Sequence, residues 1–223
     1  MNSLTRLGRC FAAAALGAAA VAAPMSLASA APDIGHATTV ERIVTGAIVG
    51  KRVPLRQDDA VYKGEVIETA AQSLARLEFL DATKLFVGPS SSVKLDSFVY
   101  NPDNTASRLV LRASKGAFRF ISGKSGHEAY EIRTPFGSLG VAGTALGFVI
   151  SRGQMIAVLK QGAMLVCPHA RLSARRRGCI PVTQANMAVI VTRRGVRGPV
   201  PKSSDMRDFG DICGDLCKRL FPQ

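Results

Sequence analysis

An all-β fold with one short C-terminal helix is predicted by three observations. Hydrophobic residues alternate at period two through much of the stretch from Thr39 to Val191. Turn-forming residues interrupt that alternation at short intervals, and apolar residues take helical spacing only near the end of the chain. The pattern leaves open whether the strands stack as a sandwich or wind as a β-solenoid.

Each strand is justified by its own alternation. In "ARLEFL", Leu77 and Phe79 face one way while Arg76 and Glu78 face the other. The same rule turns inward Leu85 and Val87 of "KLFV", Val93 and Leu95 of "VKLDSF", Phe118 and Phe120 of "AFRF", and Tyr130 and Ile132 of "YEIR". Between these runs lie Asp81-Ala82-Thr83, Gly88-Pro89-Ser90-Ser91-Ser92, Asn101-Pro102-Asp103-Asn104 and Ser122-Gly123-Lys124-Ser125-Gly126, all rich in turn formers. After a Pro-rich linker, "VRGPVPKSS", the tail places Phe209, Ile212, Cys213, Leu216, Cys217 and Leu220 on one helical face, with Ser204 or Asp205 expected to cap its start. Gly210 and Gly214 each cost about 1 kcal/mol relative to alanine. The helix therefore depends on docking or on its cysteine pair, and is expected to cover a sheet edge, with partner binding as the alternative.

The first residues set the compartment. Arg6 and Arg9 precede an apolar run from Phe11 to Ala23, and Ala28-Ser29-Ala30 follows, which reads as a secretory signal peptide cleaved after Ala30. The mature chain is then expected in the periplasm or secreted, without a transmembrane segment. Removing the leader also removes Cys10 and leaves Cys167, Cys179, Cys213 and Cys217, an even set suited to an oxidising space. Three pairings are possible; local geometry favours Cys167 with Cys179, across a hairpin, and Cys213 with Cys217, one helical turn apart. A zinc site is the weaker reading, because no CxxC pair is present.

Charge is uneven along the chain. Residues 31–103 carry eight Lys/Arg against ten Asp/Glu, residues 104–200 carry fifteen against two, and the tail from Pro201 carries four of each. The cationic part includes Arg171, Arg175, Arg176, Arg177, Arg193, Arg194 and Arg197, the candidates for binding an anionic envelope component: an acidic polysaccharide, a lipid headgroup or a wall polymer. An envelope protein is the other expected partner. Nucleic acid would be the first reading for a cytosolic chain, and the leader argues against it.

Catalytic and cofactor signatures fail on spacing. The run "TPFGSLGVAGTALGFVI" gives G-x-x-G-x-x-G where a dinucleotide fingerprint needs G-x-G-x-x-G, and strand rather than helix follows it. Gly123-Lys124-Ser125 imitates the end of a P-loop, but Phe118 stands where the upstream glycine belongs. His36, His127 and His169 fall in no nucleophile-base motif. Glu65, Glu68, Glu78 and Asp81 are the carboxylates that could cut a glycan, although alternation points Glu65 and Glu78 to solvent. No catalytic residue, metal or cofactor is therefore expected.

Taken in order, Gly64-Glu65-x-Ile67-x-Thr69, Ser73-x-Ala75-x-Leu77, Asp81-x-Thr83, Gly88-Pro89-x-Ser91, Gly116-x-Phe118-x-Phe120, and Thr134-Pro135 followed by Gly140-Val141-x-Gly143-Thr144 resemble the FecR domain, the extracytoplasmic module of ferric-citrate signalling regulators. The resemblance spans roughly residues 45–150 and departs from the family at Ala142, where arginine is usual, and at Ala82, where glycine is usual. It implies a winding, β-rich, non-catalytic domain in which the glycines of the Thr134–Thr144 run permit turns and close backbone approach. In the full regulators an anti-sigma segment and a membrane helix precede this domain. Neither is seen in this sequence, so a direct sigma-regulator role is not expected to transfer.

The resulting plan is a signal peptide at 1–30, an N-terminal segment at 31–44, the FecR-like domain at 45–150, a basic β extension with a disulfide hairpin at 151–197, and the linker and helix at 198–223. Function is expected to be binding in the cell envelope, to an anionic partner or, alternatively, to a protein in TonB-linked or sigma-factor signalling.

Overall fold

The computed structural model describes residues 32–169 and 178–220. The leader, Arg171, Arg175, Arg176 and Arg177 lie outside the described residues. Fifteen strands join in one sheet: β1 (Asp33–Glu41), β2 (Val44–Ile48), β3 (Lys51–Pro54), β4 (Ala60–Tyr62), β5 (Val66–Thr69), β6 (Leu74–Phe79), β7 (Lys84–Val87), β8 (Ser92–Tyr100), β9 (Ala106–Ile121), β10 (Tyr130–Thr134), β11 (Gly137–Ser151), β12 (Gln154–Pro168), β13 (Ile180–Val182), β14 (Met187–Thr192) and β15 (Gly195–Pro201). A helix, α1 (Phe209–Leu220), follows. The fold is all-β with a short C-terminal helix.

Three long strands make this one sheet serve as two layers. The first half of β9 pairs with β8 and β10, while its second half pairs with β7 and β11. In the same way β11 leaves β10 for β9 halfway along, and β12 pairs with β14 in its first half and β13 in its second. Each long strand thus passes from one layer into the other, and the inward residues of both layers meet in one apolar core that includes Leu77, Leu85, Leu95, Leu109, Phe118, Phe120, Ile132, Leu139, Phe148 and Leu159. Every inward position expected from alternation in the five runs above is buried. Phe86, between two of them, is buried as well, because a second apolar cluster forms on the outer face. All pairings are antiparallel except β9 with β10.

The sheet continues across residue 150: β11 and β12 are hydrogen-bonded from Gly137↔Pro168 to Ser151↔Gln154, so the basic extension shares the core of the preceding strands. A bulge bends this pair midway. Gly143 takes φ 57°, and opposite it Gly162 has φ 82° with its Cα against the Gly143 carbonyl, leaving no room for a side chain. The glycine-rich run therefore shapes strand β11.

The tail differs from expectation in four respects. The stretch expected as linker is strand β15, an edge strand whose Pro199 and Pro201 suit a position with one unpaired side. The helix begins at Phe209, where Asp208 rather than Ser204 or Asp205 caps it: the Asp208 carboxylate accepts from the Asp211 N–H at 3.2 Å, and Asp211 reciprocates to the Asp208 N–H at 2.8 Å. It is also interrupted at Gly214, whose φ 53° and ψ −132° are not helical. Finally, α1 covers a sheet face and not an edge, because Phe209 sits over the outer side of β7, β9 and β11 with Leu74, Phe86, Ala117 and Val149.

Candidate functional site

The polar residues of the sequence motifs point inward and hold turns together. Asp81 is fully buried. Its Oδ2 accepts hydrogen bonds from the hydroxyls of Thr83 (2.8 Å), Ser125 (2.7 Å) and Tyr130 (2.8 Å), and its Oδ1 accepts from the Thr83 N–H at 3.1 Å. Each of those hydroxyl oxygens in turn accepts a backbone N–H: Gly123 on Thr83, Ala106 on Ser125, and Ser125 on Tyr130. A carboxylate, which only accepts, thus orients three hydroxyls so that each can receive a main-chain donor. Burial is the main reason the Tyr130 phenol is held above its ordinary pKa. Sealed from solvent, Asp81 is not available to a glycan.

The other motif positions do the same work locally. Thr69 donates to the Gly88 carbonyl at 2.6 Å and accepts from the Ser91 N–H at 3.0 Å, while Ser91 Oγ accepts from the Ala117 N–H at 3.0 Å, which fixes the Gly88-Pro89 corner between β7 and β8. Thr134 accepts from the N–H groups of Phe136 and Gly137 and donates to the Gly137 carbonyl, closing the turn that Pro135 begins. Thr144 Oγ1 accepts from the Ala142 N–H and donates to the Ala163 carbonyl, bridging the β11–β12 bulge. Gly140 makes only an ordinary contact, with Leu165.

Two motif positions carry a prediction. Ala82 stands at φ 64°, the left-handed region that costs a residue with a Cβ. Replacing Ala82 with glycine should therefore stabilise the fold by about 0.5–1 kcal/mol, offset in part by the extra freedom glycine gains when unfolded; urea unfolding of the two proteins checks this. Glu65 is the other, and here alternation fails: it is buried, because its side chain turns back to accept the Tyr62 N–H at 2.9 Å within the turn preceding β5. Burial raises its pKa, the Tyr62 N–H opposes that, and Asp59 adds to it. A folded pKa above the unfolded value favours the folded state fully at low pH, and the benefit is lost as pH rises through the folded pKa. Glu65→Gln should gain stability relative to wild type between about pH 4 and pH 7, as urea midpoints at the two values would register.

The cationic residues fall into two groups. On the outer face of β8, β9 and β10 three cations are paired. Arg112 binds Asp96 at 2.9 Å, Lys94 lies 3.6 Å from the same carboxylate, and Arg133 holds Glu131 through two nitrogens at 2.8 and 2.9 Å. The Arg112 hydrogen bond holds the Asp96 carboxyl below its usual range, and Arg133 does the same for Glu131. A groove of about 460 Å³ opens here between Arg112, Arg133, Ser138 and His169, with its charges already matched. The second group is at the β14–β15 hairpin. Arg193 and Arg194 form its tip, Arg197 lies on β15, and Arg194 and Arg197 border a groove of about 430 Å³ floored by Ile156, Ile190 and Val196 and walled by Asp205 and Met206.

All four cysteines among the described residues are used in disulfides. Cys167 joins Cys179 with Cα atoms 4.1 Å apart, and Cys213 joins Cys217 at 5.4 Å, across the break at Gly214. His36 lies on β1, His127 in the segment before β10 and His169 just after β12, and no three metal-ligating side chains converge among the described residues.

Residues 65–164 match the family model described as FecR protein. The chain carries a FecR domain. The matched span begins at Glu65 and reaches Met164, so the domain takes in the β11–β12 bulge and most of β12. Two solved structures of a "putative anti-sigma factor" from Parabacteroides distasonis ATCC 8503 align over 57% of this chain and 55% of theirs, at 14% identity and a TM-score of 0.44. The alignment spans about half of that protein, and so weak a likeness carries no argument. No curated protein matches the chain.

Most of the second cationic group lies C-terminal to the FecR domain, on strands that extend its sheet. Sequence singled out Arg193, Arg194 and Arg197 by their density. It missed Arg152, which the register brings to the same end: Gln154 pairs with Thr192, so the β11–β12 and β14–β15 turns are neighbours. Only strand pairing could reveal that.

Proposed function

We propose that this protein is a non-catalytic FecR-domain scaffold of the cell envelope that acts as an accessory in TonB-linked or sigma-factor signalling by binding a protein partner. The observation that carries the reading is the inward use of the motif residues: Thr69, Asp81, Thr83, Ser91, Thr134 and Thr144 are buried and spent on main-chain groups of neighbouring turns. A domain whose distinctive polar residues stabilise its own turns offers its outer surface, rather than a reactive cleft, to other molecules. Placement outside the cytoplasm is supported by the two disulfides and the leader-like first residues. Among the described residues no helix is long and apolar enough to cross a membrane.

The test is recovery of the tagged protein from envelope extract of its host at low and moderate salt. One specific protein retained at both is the expected result. Recovery of polysaccharide or lipid alone, lost as salt rises, would replace the protein-partner reading with adhesion to a polyanion.

A further inference from the structure

The outer face of β12, β14 and β15 carries one apolar cluster spread over two cross-strand rows, and the tail covers it only in part. Val158, Ala188 and Val200 share the first row, and Met206 packs onto it together with Ile156. In the second row Ile156 is itself buried, whereas Ile190 and Arg197 open onto the groove of about 430 Å³.

What the protein already seats on this face indicates the chemistry it accepts. The tail alternates acids with hydrophobics. Met206 and Phe209 are buried against the sheet, while Asp208 pairs with Lys160 at 2.9 Å and Lys202 at 3.7 Å, and Asp211 pairs with Lys202 at 3.0 Å. Lysines under the tail are thus answered by carboxylates of the tail. Arginines beyond it form no close ion pair with the tail. Every Asp and Glu of the chain is among the described residues, and none forms an ion pair with Arg152, Arg193, Arg194 or Arg197, all of which are exposed. The one carboxylate lining the groove, Asp205, is exposed and hydrogen-bonded by the Ser203 hydroxyl, and that bond, with the nearby Arg197 charge, holds its carboxyl below the usual range.

We propose that this groove docks an extended segment of a partner protein that alternates acidic and apolar residues, laid beside the protein's own tail; the proposal rests on the protein-partner reading above. Apolar side chains of the segment would cover Ile190 and Val196, which are only half-buried. Its carboxylates would meet the planar forks of Arg194 and Arg197, which suit bidentate contact. Arg152 and Arg193, at the neighbouring turn tips, raise the encounter rate without needing direct contact.

The decisive measurement uses the disulfide-bonded mature protein and a short fluorescent peptide of alternating glutamate and leucine, read by anisotropy. Binding should weaken about tenfold in the Arg194→Gln/Arg197→Gln variant, as expected for two charges removed from a groove rim, with the melting temperature little changed because neither arginine holds a close ion pair and Asp205 is exposed. A glutamate-serine peptide should bind more weakly than glutamate-leucine, and a lysine-leucine peptide should not bind. Absence of peptide binding, equal affinity for variant and wild type, or arginine-dependent capture of phosphatidylglycerol vesicles in place of the peptide would each overturn the proposal. The envelope recovery separates the two levels. A partner protein retained equally by wild type and variant removes this groove and leaves the protein-partner reading standing, whereas failure to recover any partner protein removes that reading and the docking proposal with it.

Discussion

Replacing Asp81 with alanine should lower the unfolding free energy by about 3–5 kcal/mol, the range expected when a buried hydrogen-bonded network loses its shared acceptor. Asp81 takes hydrogen bonds from three hydroxyls and one N–H, and the hydroxyls it orients each receive a main-chain donor from another segment. Without the carboxylate, Thr83, Ser125 and Tyr130 have donors directed at an apolar void, and rotating them away disturbs the bonds from Gly123, Ala106 and Ser125. The damage reaches beyond one turn, because these groups tie the β6–β7 connection to the start of β9 and to the segment before β10. Asp81→Asn should cost less: one amide oxygen can serve the three hydroxyls, and only the Thr83 N–H then faces a donor. Urea unfolding followed by far-ultraviolet circular dichroism ranks the three proteins. An Asp81→Ala variant within about 1 kcal/mol of wild type would mean that the network contributes little, whatever its geometry.

Phe209→Ala should cost about 3 kcal/mol or more and release the C-terminal helix. The ring lies over the sheet where Gly88 and Gly147 have no side chains: a Cβ on Gly88 would come within 3.2 Å of the Phe209 ring, and one on Gly147 within 3.5 Å of its Cβ. Phe86 meets it edge-on at 6.1 Å between centroids. Along the same cross-strand row, the guanidinium groups of Arg76 and Arg119 lie 5.6 and 5.9 Å from the Phe86 ring centre. Alanine at 209 would leave that pocket empty. A short helix broken at Gly214 has little stability of its own, so loss of the anchor should free it. Limited proteolysis should then cut between Lys202 and Arg207 in the variant and spare the wild type, and an intact variant at equal protease would show that the ion pairs of Asp208 and Asp211 hold the tail without the ring.

How far the sequence could be read depended on whether a residue's environment is set by its neighbours along the chain. Leu77, Phe79, Val93, Leu95, Phe118 and Phe120 were legible because period two alone places them on one side of a strand. Glu65 was not, since a turn lets a side chain fold back onto the N–H three residues earlier, and alternation has no meaning there. The helix cap was displaced to Asp208 because β15 extends to Pro201 and the segment after it is fixed by packing of Met206, neither of which the tail's own periodicity records. The face covered by α1 was equally hidden: the glycines that receive Phe209 lie at positions 88 and 147, and only the sheet brings them together.

For the candidate groove the division is similar. Composition showed that cations accumulate after residue 104 while acids nearly vanish until the tail. Which cations form close ion pairs was decided in three dimensions, where Asp96 and Glu131 neutralise Arg112 and Arg133, and the tail's Asp208 and Asp211 neutralise Lys160 and Lys202.

By itself the sequence determined the strand class, the order of the family's motifs and the excess of basic residues, since each is a property of consecutive or counted residues. Tertiary structure alone decided where the long strands cross between layers, what Asp81 and Phe209 hold together, and why four arginines at one end of the sheet form no close ion pair. The physical reason is that pairing and burial depend on distances between strands remote in sequence, and a local pattern carries no information about those distances.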